Sequence, residues 1–112
     1  MMRNKYGNRK VTCMGEVFDS KREYERYREL RLMERAGAIH DLHRQVRFEL
    51  VPAQYEGKRC VERAVSYVAD FVYWEGENMV VEDVKSKATR TESYIIKRKL
   101  MRQKGYKIRE VE

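Results

Sequence analysis

Ser66-Tyr67-Val68-Ala69-Asp70-Phe71-Val72-Tyr73-Trp74-Glu75-Gly76-Glu77-Asn78-Met79-Val80-Val81-Glu82-Asp83-Val84-Lys85-Ser86-Lys87 is the stretch whose reading decides the fold. Two apolar runs flank the polar tetrapeptide Glu75-Gly76-Glu77-Asn78, the pattern of a β-hairpin. Inside those runs sit Asp70, Asp83 and Lys85, although carboxylates are depleted in strands and seldom buried without a partner. If the loop is Gly76-Glu77, Asp70 falls opposite Asp83; if it is Glu77-Asn78, Asp70 falls opposite Lys85. In both registers the three side chains share a face, because side chains alternate along a strand and paired residues point the same way. Like charges about 5 Å apart across a sheet repel. A divalent cation is the economical compensation.

The rest of the chain supplies a setting for that hairpin. Its 112 residues suffice for one domain with a single modest core. A net charge of +7 with 38% charged residues points to a polyanionic partner. Cys13 and Cys60 match neither a disulfide framework nor a zinc pattern and read as reduced thiols. No apolar run approaches the ~18 residues of a membrane span, and the first residues lack the apolar core of a signal peptide. Cytoplasmic localisation, in a bacterial host, is the expectation.

Residues 1–10 form a basic arm carrying Arg3, Lys5, Arg9 and Lys10 and no acid, suited to touching nucleic acid. Residues 10–18 read as a small hairpin turning at Met14-Gly15. Ser20 followed by Glu23 fits a capping box, and Ala36-Gly37 closes the helix. Tyr24, Tyr27, Leu30 and Met33 form its apolar stripe, and Glu23 falls near the middle of that stripe. Val46 to Leu50 alternate as a half-buried strand within 44–52, ended by Pro52. Residues 53–62 read as a polar loop. The first hairpin strand is apolar on both faces, with Tyr67 and Phe71 on one and Val68, Val72 and Trp74 on the other, so it belongs mid-sheet. Thr89 to Glu92 matches a second capping box, before a helix at 93–104 stopped by Gly105 and a last strand at 106–111. The order is hairpin, α, β, β, β, α, β: an α/β (α+β) chain with a central sheet flanked by helices and an N-terminal β-hairpin.

An acid two residues before a lysine occurs three times here, but only Asp83-Val84-Lys85 lies in an apolar strand with an acid across a hairpin. Such a trio supports metal-assisted phosphodiester hydrolysis. Mg²⁺ takes oxygen ligands, usually one or two carboxylates and several waters. Asp70 and Asp83 supply the carboxylates, Glu23 adds a third directly or through water, and Lys85 holds the attacking water or a phosphate oxygen. Glu82 points to the opposite face and reads as the partner of a basic residue. His40 and His43 read as loop residues and not as a metal pair. A glycine-rich phosphate loop and a Ser/His/Asp arrangement are both absent from the sequence.

The residues Asp70, Asp83-Val84-Lys85 and a helical Glu23 in this element order resemble the PD-(D/E)xK nuclease core. More closely, Lys5-Tyr6-Gly7-Asn8-Arg9-Lys10, Phe18-Asp19-Ser20-Lys21-Arg22-Glu23, Tyr67-Val68-Ala69-Asp70-Phe71 and Val81-Glu82-Asp83-Val84-Lys85 resemble a family of short phage-encoded proteins with that core. The likeness covers nearly the whole chain. It implies a restriction-endonuclease-like αβββαβ core with a mixed sheet, dependence on Mg²⁺ or Mn²⁺, and cutting of DNA. Glu23, Asp70, Asp83 and Lys85 carry over as catalytic residues. Ala69 departs from the family's proline, which is not a ligand. Gln45 stands where some relatives have a functional glutamine.

Lys85 to Arg109 holds ten basic residues and one acid, a footprint for phosphates. Lys87, Arg90, Tyr94, Lys97 and Arg98 are its expected DNA contacts. A branched-DNA or Holliday-junction specificity, a homodimer placing two sites on two strands, and partnership with phage replication or recombination proteins follow by family analogy. The competing reading is a basic DNA-binding accessory protein that keeps the fold without catalysis.

Overall fold

The computed structural model describes residues 10–13 and 15–112. Arg3, Lys5 and Arg9 of the basic arm lie outside the described residues; Lys10 is exposed. The chain is mixed α and β, with a mixed central sheet and two helices. Strands β1 (Val11–Cys13) and β2 (Glu16–Phe18) form the expected small hairpin, with Gly15 at φ +82° in its turn. Helix α1 (Lys21–Arg35) follows, then β3 (His40–Val51), β4 (Gln54–Glu56), β5 (Arg59–Glu62), β6 (Val65–Glu75) and β7 (Asn78–Val84). A short 3₁₀ turn (Lys87–Thr89), helix α2 (Glu92–Gln103) and β8 (Ile108–Val111) complete it.

The main sheet runs β3-β6-β7-β8, antiparallel except for the parallel β7–β8 pair that the α2 crossover requires. Strand β6 lies mid-sheet, as its two apolar faces demand. The β6–β7 hairpin pairs Glu75 with Asn78 and Phe71 with Glu82, so its loop is Gly76-Glu77. Of the two registers, this is the one that sets Asp70 against Asp83.

Each helix covers one sheet face. Val81 packs with Tyr94 and Met101 of α2, whereas its neighbour Val80 packs with Leu30 of α1. Ser20 caps α1, its Oγ accepting from the Glu23 amide at 3.1 Å. The Glu23 carboxylate takes the Asp19 N–H at 3.3 Å, one residue before the amide a capping box would use. The cap of α2 is Thr91, whose hydroxyl accepts from the Tyr94 amide at 3.1 Å. Thr89, the residue the sequence pattern favoured, instead closes the preceding turn onto Ser86.

Three further expectations are corrected. Residues 53–62 hold the β4–β5 hairpin and not a loop; every residue of both strands is exposed, so no apolar alternation marked them. His40 and His43 belong to β3, where His40 is held by Asp41 and by the Gly76 carbonyl, each at 3.1 Å. Tyr67 and Phe71 do not share a face. Tyr67 and Ala69 pack toward α2, and Phe71 and Tyr73 toward α1. Strand β3 switches likewise: Leu42 packs in the α1 cluster and Val46 in the α2 cluster, although both positions are even.

Both switches occur at one rung. The ladder pairs Arg44 with Phe71 and Val46 with Ala69, and Gln45, at φ +53°, stands between them opposite Asp70. A left-handed residue turns the strand over locally. Asp70 therefore sits where the two faces of the sheet change places. Among the described residues, no helix is long and apolar enough to cross a membrane, and Cys60 is an exposed free thiol.

Candidate active site

Four elements bring polar side chains to that rung. From β7, Asp83 is 1% exposed. Its Oδ1 accepts the Asp70 amide at 3.3 Å, while Asp70 Oδ2 accepts the Val84 amide at 2.9 Å. The β6–β7 ladder stops at Phe71–Glu82, and beyond it the two carboxylates take up backbone amides. Lys85 Nζ lies 3.3 Å from Asp83 Oδ2 and 4.8 Å from the centre of the Tyr94 ring. Its amide donates to the Val111 carbonyl at 2.8 Å, so β8 fixes its backbone.

Glu23 enters from the α1 side, 3% exposed. The Gln45 amide bridges it to the pair: Nε2 donates to Glu23 Oε1 at 3.0 Å and, more weakly, to Asp70 Oδ1 at 3.5 Å. Arg44 Nη2 is 3.6 Å from the same Glu23 oxygen. The reversal at Gln45 thus lets acids approaching from opposite faces reach one place, with Glu23 one amide removed from the aspartates. Among the described residues, no three His, Cys, Asp or Glu side chains form a ready-made metal cluster.

The electrostatics are those of an under-compensated site. Burial, then the Asp83 charge and hydrogen bond, then the Glu23 charge hold the Asp70 carboxyl far above the usual carboxylate range, against the Val84 amide. Glu23 is also raised, first by burial and then by Asp19, against the Asp19 amide and Arg44. Tyr67 is 4% exposed, and its hydroxyl makes no hydrogen bond of good geometry, although Asp83 lies close enough to act on it as one. Burial and the nearby Asp83, Tyr94 and Asp70 push its ionisation up, so it stays a neutral phenol.

The expected phosphate contacts fare differently. Tyr94 is 7% exposed, with its ring in the α2-side core and its hydroxyl donating to Glu110 Oε2 at 2.7 Å. It is a core and positioning residue and not a surface contact. Arg98 reaches the same carboxylate oxygen at 3.1 Å and Arg90 lies 3.5 Å from it, so Glu110 already opposes both charges. Lys97 is half-buried, and the Lys87 side chain lies outside the described residues. Sequence reasoning passed over Tyr67 and Arg44. Arg44 carries no motif, and strict strand alternation sets Tyr67 on the face opposite Asp70.

No curated protein and no solved structure matches the chain. A family model described as "Protein of unknown function (DUF1064)" matches residues 3–112. That match spans nearly the whole chain, which therefore belongs to the DUF1064 family.

Proposed function

We propose that this protein is a divalent-metal-dependent DNA endonuclease built on a restriction-endonuclease-like core. The observation that carries the reading is the Asp70–Asp83 pair at the end of the β6–β7 ladder, with Lys85 on one aspartate and Glu23 linked to the other through Gln45. Two adjacent carboxylates, Asp83 buried and Asp70 half-buried with a strongly raised pKa, are costly in a merely structural role. Their oxygens suit Mg²⁺ or Mn²⁺, which bind through one or two carboxylates and keep several waters.

Asp70 and Asp83 would hold the cation, with Glu23 in reach through water. Held there, a cation would supply a water of lowered pKa and offset charge on the attacked phosphate. Lys85, 22% exposed and 3.3 Å from Asp83, would hold a phosphate oxygen or orient the attacking water. Gln45 fixes Glu23 and Asp70 relative to each other, and the core-locked ring of Tyr94 carries Lys85 on its face.

The test is cleavage of a labelled four-way junction and a matched linear duplex, in Mg²⁺ or Mn²⁺ against EDTA, by wild type and Asp83→Ala. Metal-dependent cutting lost in the variant is the expected result. Binding without cutting in either metal, unchanged by the substitution, supports the accessory-protein reading instead. Equal cutting of the two substrates removes the branched-DNA specificity while keeping the nuclease.

A further inference from the structure

Beside the carboxylates, β2 and α1 enclose a cleft of about 510 Å³. Its floor is aromatic. The buried Phe18 ring meets Tyr24 edge-on at 5.3 Å and Tyr27 at 5.2 Å between centroids. Its rim is cationic, made of Arg28, Arg31 and Arg35 along one side of α1. The guanidinium of Arg28 lies 6.0 Å from the Tyr24 ring and that of Arg31 5.8 Å from the Tyr27 ring. The acid in the wall, Glu16, is 3.5 Å from Arg44, and Arg31 is 3.8 Å from Glu34. Three arginines on this rim therefore outweigh the acids near it.

Two features of the cleft select its occupant. Aromatic surface in a concavity suits a flat π-system, and arginines at successive turns of a helix suit the phosphates on either side of it. A duplex keeps its bases stacked inside and offers phosphates and groove edges, so it would leave an aromatic floor unused. The cleft also adjoins the acids. Tyr27 stacks on Phe71, the neighbour of Asp70, at 6.2 Å, and Arg44 lies 3.8 Å over Phe18 while reaching Glu23 at 3.6 Å.

We infer that this cleft binds an unpaired nucleotide next to the phosphodiester presented to Asp70 and Asp83. The base enters against the half-buried rings of Tyr24 and Tyr27, which the buried Phe18 backs, and the flanking phosphates lie along Arg28, Arg31 and Arg35. This rests on the nuclease reading and names the substrate class of that site: DNA with a single-stranded segment beside the cut.

The test is fluorescence anisotropy of the full chain with labelled oligothymidylate and with a duplex of equal length. It is run in EDTA, where no cutting intervenes, at ~0.15 M salt, where charges beyond ~8 Å are screened. Arg28→Ala/Arg31→Ala/Arg35→Ala should weaken oligothymidylate binding at least about tenfold and duplex binding less than about threefold. A 2-aminopurine in the oligonucleotide should be quenched by wild type and not by the triple variant. Equal losses on both nucleic acids overturn the proposal in favour of general electrostatics, and no loss on either overturns it outright. Dissociation of a dimer by Leu32→Glu at the rim, with oligothymidylate binding intact, would make the cleft an interface between copies and also overturn it. Binding as expected with no cutting in any metal would sink the nuclease reading and leave the cleft standing. Metal-dependent cutting of single-strand-flanked DNA that survives the triple substitution would do the reverse.

Discussion

Glu82 and Asp83 are successive residues of β7, both at most 1% exposed, and they live in opposite electrostatic worlds. Glu82 faces α1 and is saturated. Arg26 grips it through two hydrogen bonds of 2.8 Å, and the Tyr73 hydroxyl donates to it at 2.7 Å. Arg109 backs that hydroxyl at 3.0 Å, and Glu29 takes the remaining arm of Arg26 at 2.8 Å. The hydrogen bonds it donates to Glu82 hold the Arg26 guanidinium well above its ordinary pKa, while burial and Glu82 push the Tyr73 phenol up to about 12. Asp83 faces α2 with one lysine, a second acid across the strand, and the Tyr67 phenol, a neutral neighbour that supplies no charge. A carboxylate whose surroundings already satisfy it is structural; under the proposed function, a carboxylate crowded by another acid is one that a cation would satisfy. One position of strand alternation separates the two roles.

The largest expected effect breaks the comparison if it fails. Asp83→Asn should lower metal-dependent cleavage by about a thousandfold or more, while leaving thermal stability in the absence of metal unchanged or higher, because a crowding charge is removed. Glu82→Ala should do the opposite. It strands the Arg26 guanidinium against the sheet, at a cost of about 3 kcal/mol or more in denaturant unfolding. If Asp83→Asn destabilises as much as Glu82→Ala, both acids are structural and the site has no special standing.

Half of that contrast was legible in the sequence. Period-two alternation sent Glu82 and Asp83 to different faces, and the amphipathic stripe of α1 aimed Glu23 inward. The register of the hairpin was reduced to two choices, of which the loop Gly76-Glu77 is the observed one. The reversal at Gln45 was not legible, because a glutamine at φ +53° leaves no mark of the kind a glycine would. It hid the division of Tyr67 from Phe71, and with it the phenol beside the aspartates. The partners of Glu110 were hidden for another reason. Tyr94, Arg90 and Arg98 read as a phosphate-binding surface until β8 brings an acid under them through a parallel pairing that no local pattern encodes.

A cation should reverse the pH dependence of the site. Asp70 has a raised pKa in the folded chain, so between the ordinary carboxylate value and that raised value the folded state binds more protons than the unfolded one. Stability therefore falls as pH rises through this window. Asp70→Asn should flatten that part of a pH–stability profile. Mg²⁺ at about 100 times its dissociation constant should stabilise wild type by about 2.7 kcal/mol, most clearly at the alkaline end where Asp70 is ionised, and should not stabilise Asp70→Asn. Thermal denaturation with and without the metal, from pH 5 to 9, measures both. A metal-independent profile in wild type would leave the paired acids unexplained by a cation.

The smallest effect isolates Gln45, whose backbone and side chain do separate jobs. Its φ of +53° turns β3 over, and its amide ties Glu23 to Asp70. Asparagine adopts the left-handed region more readily than glutamine, yet its side chain is one methylene shorter. Gln45→Asn should thus keep the strand reversal, changing stability by less than about 0.5 kcal/mol, while losing the bridge and lowering cleavage about tenfold, the usual cost of a missing support behind a metal ligand. Gln45→Val is the opposing control. A β-branched residue resists positive φ, so it should unfold the chain more easily and scatter the acids together. Equal activity in Gln45→Asn and wild type would mean that Glu23 needs no tether, and that the backbone reversal alone brings the acids of the two sheet faces to one place.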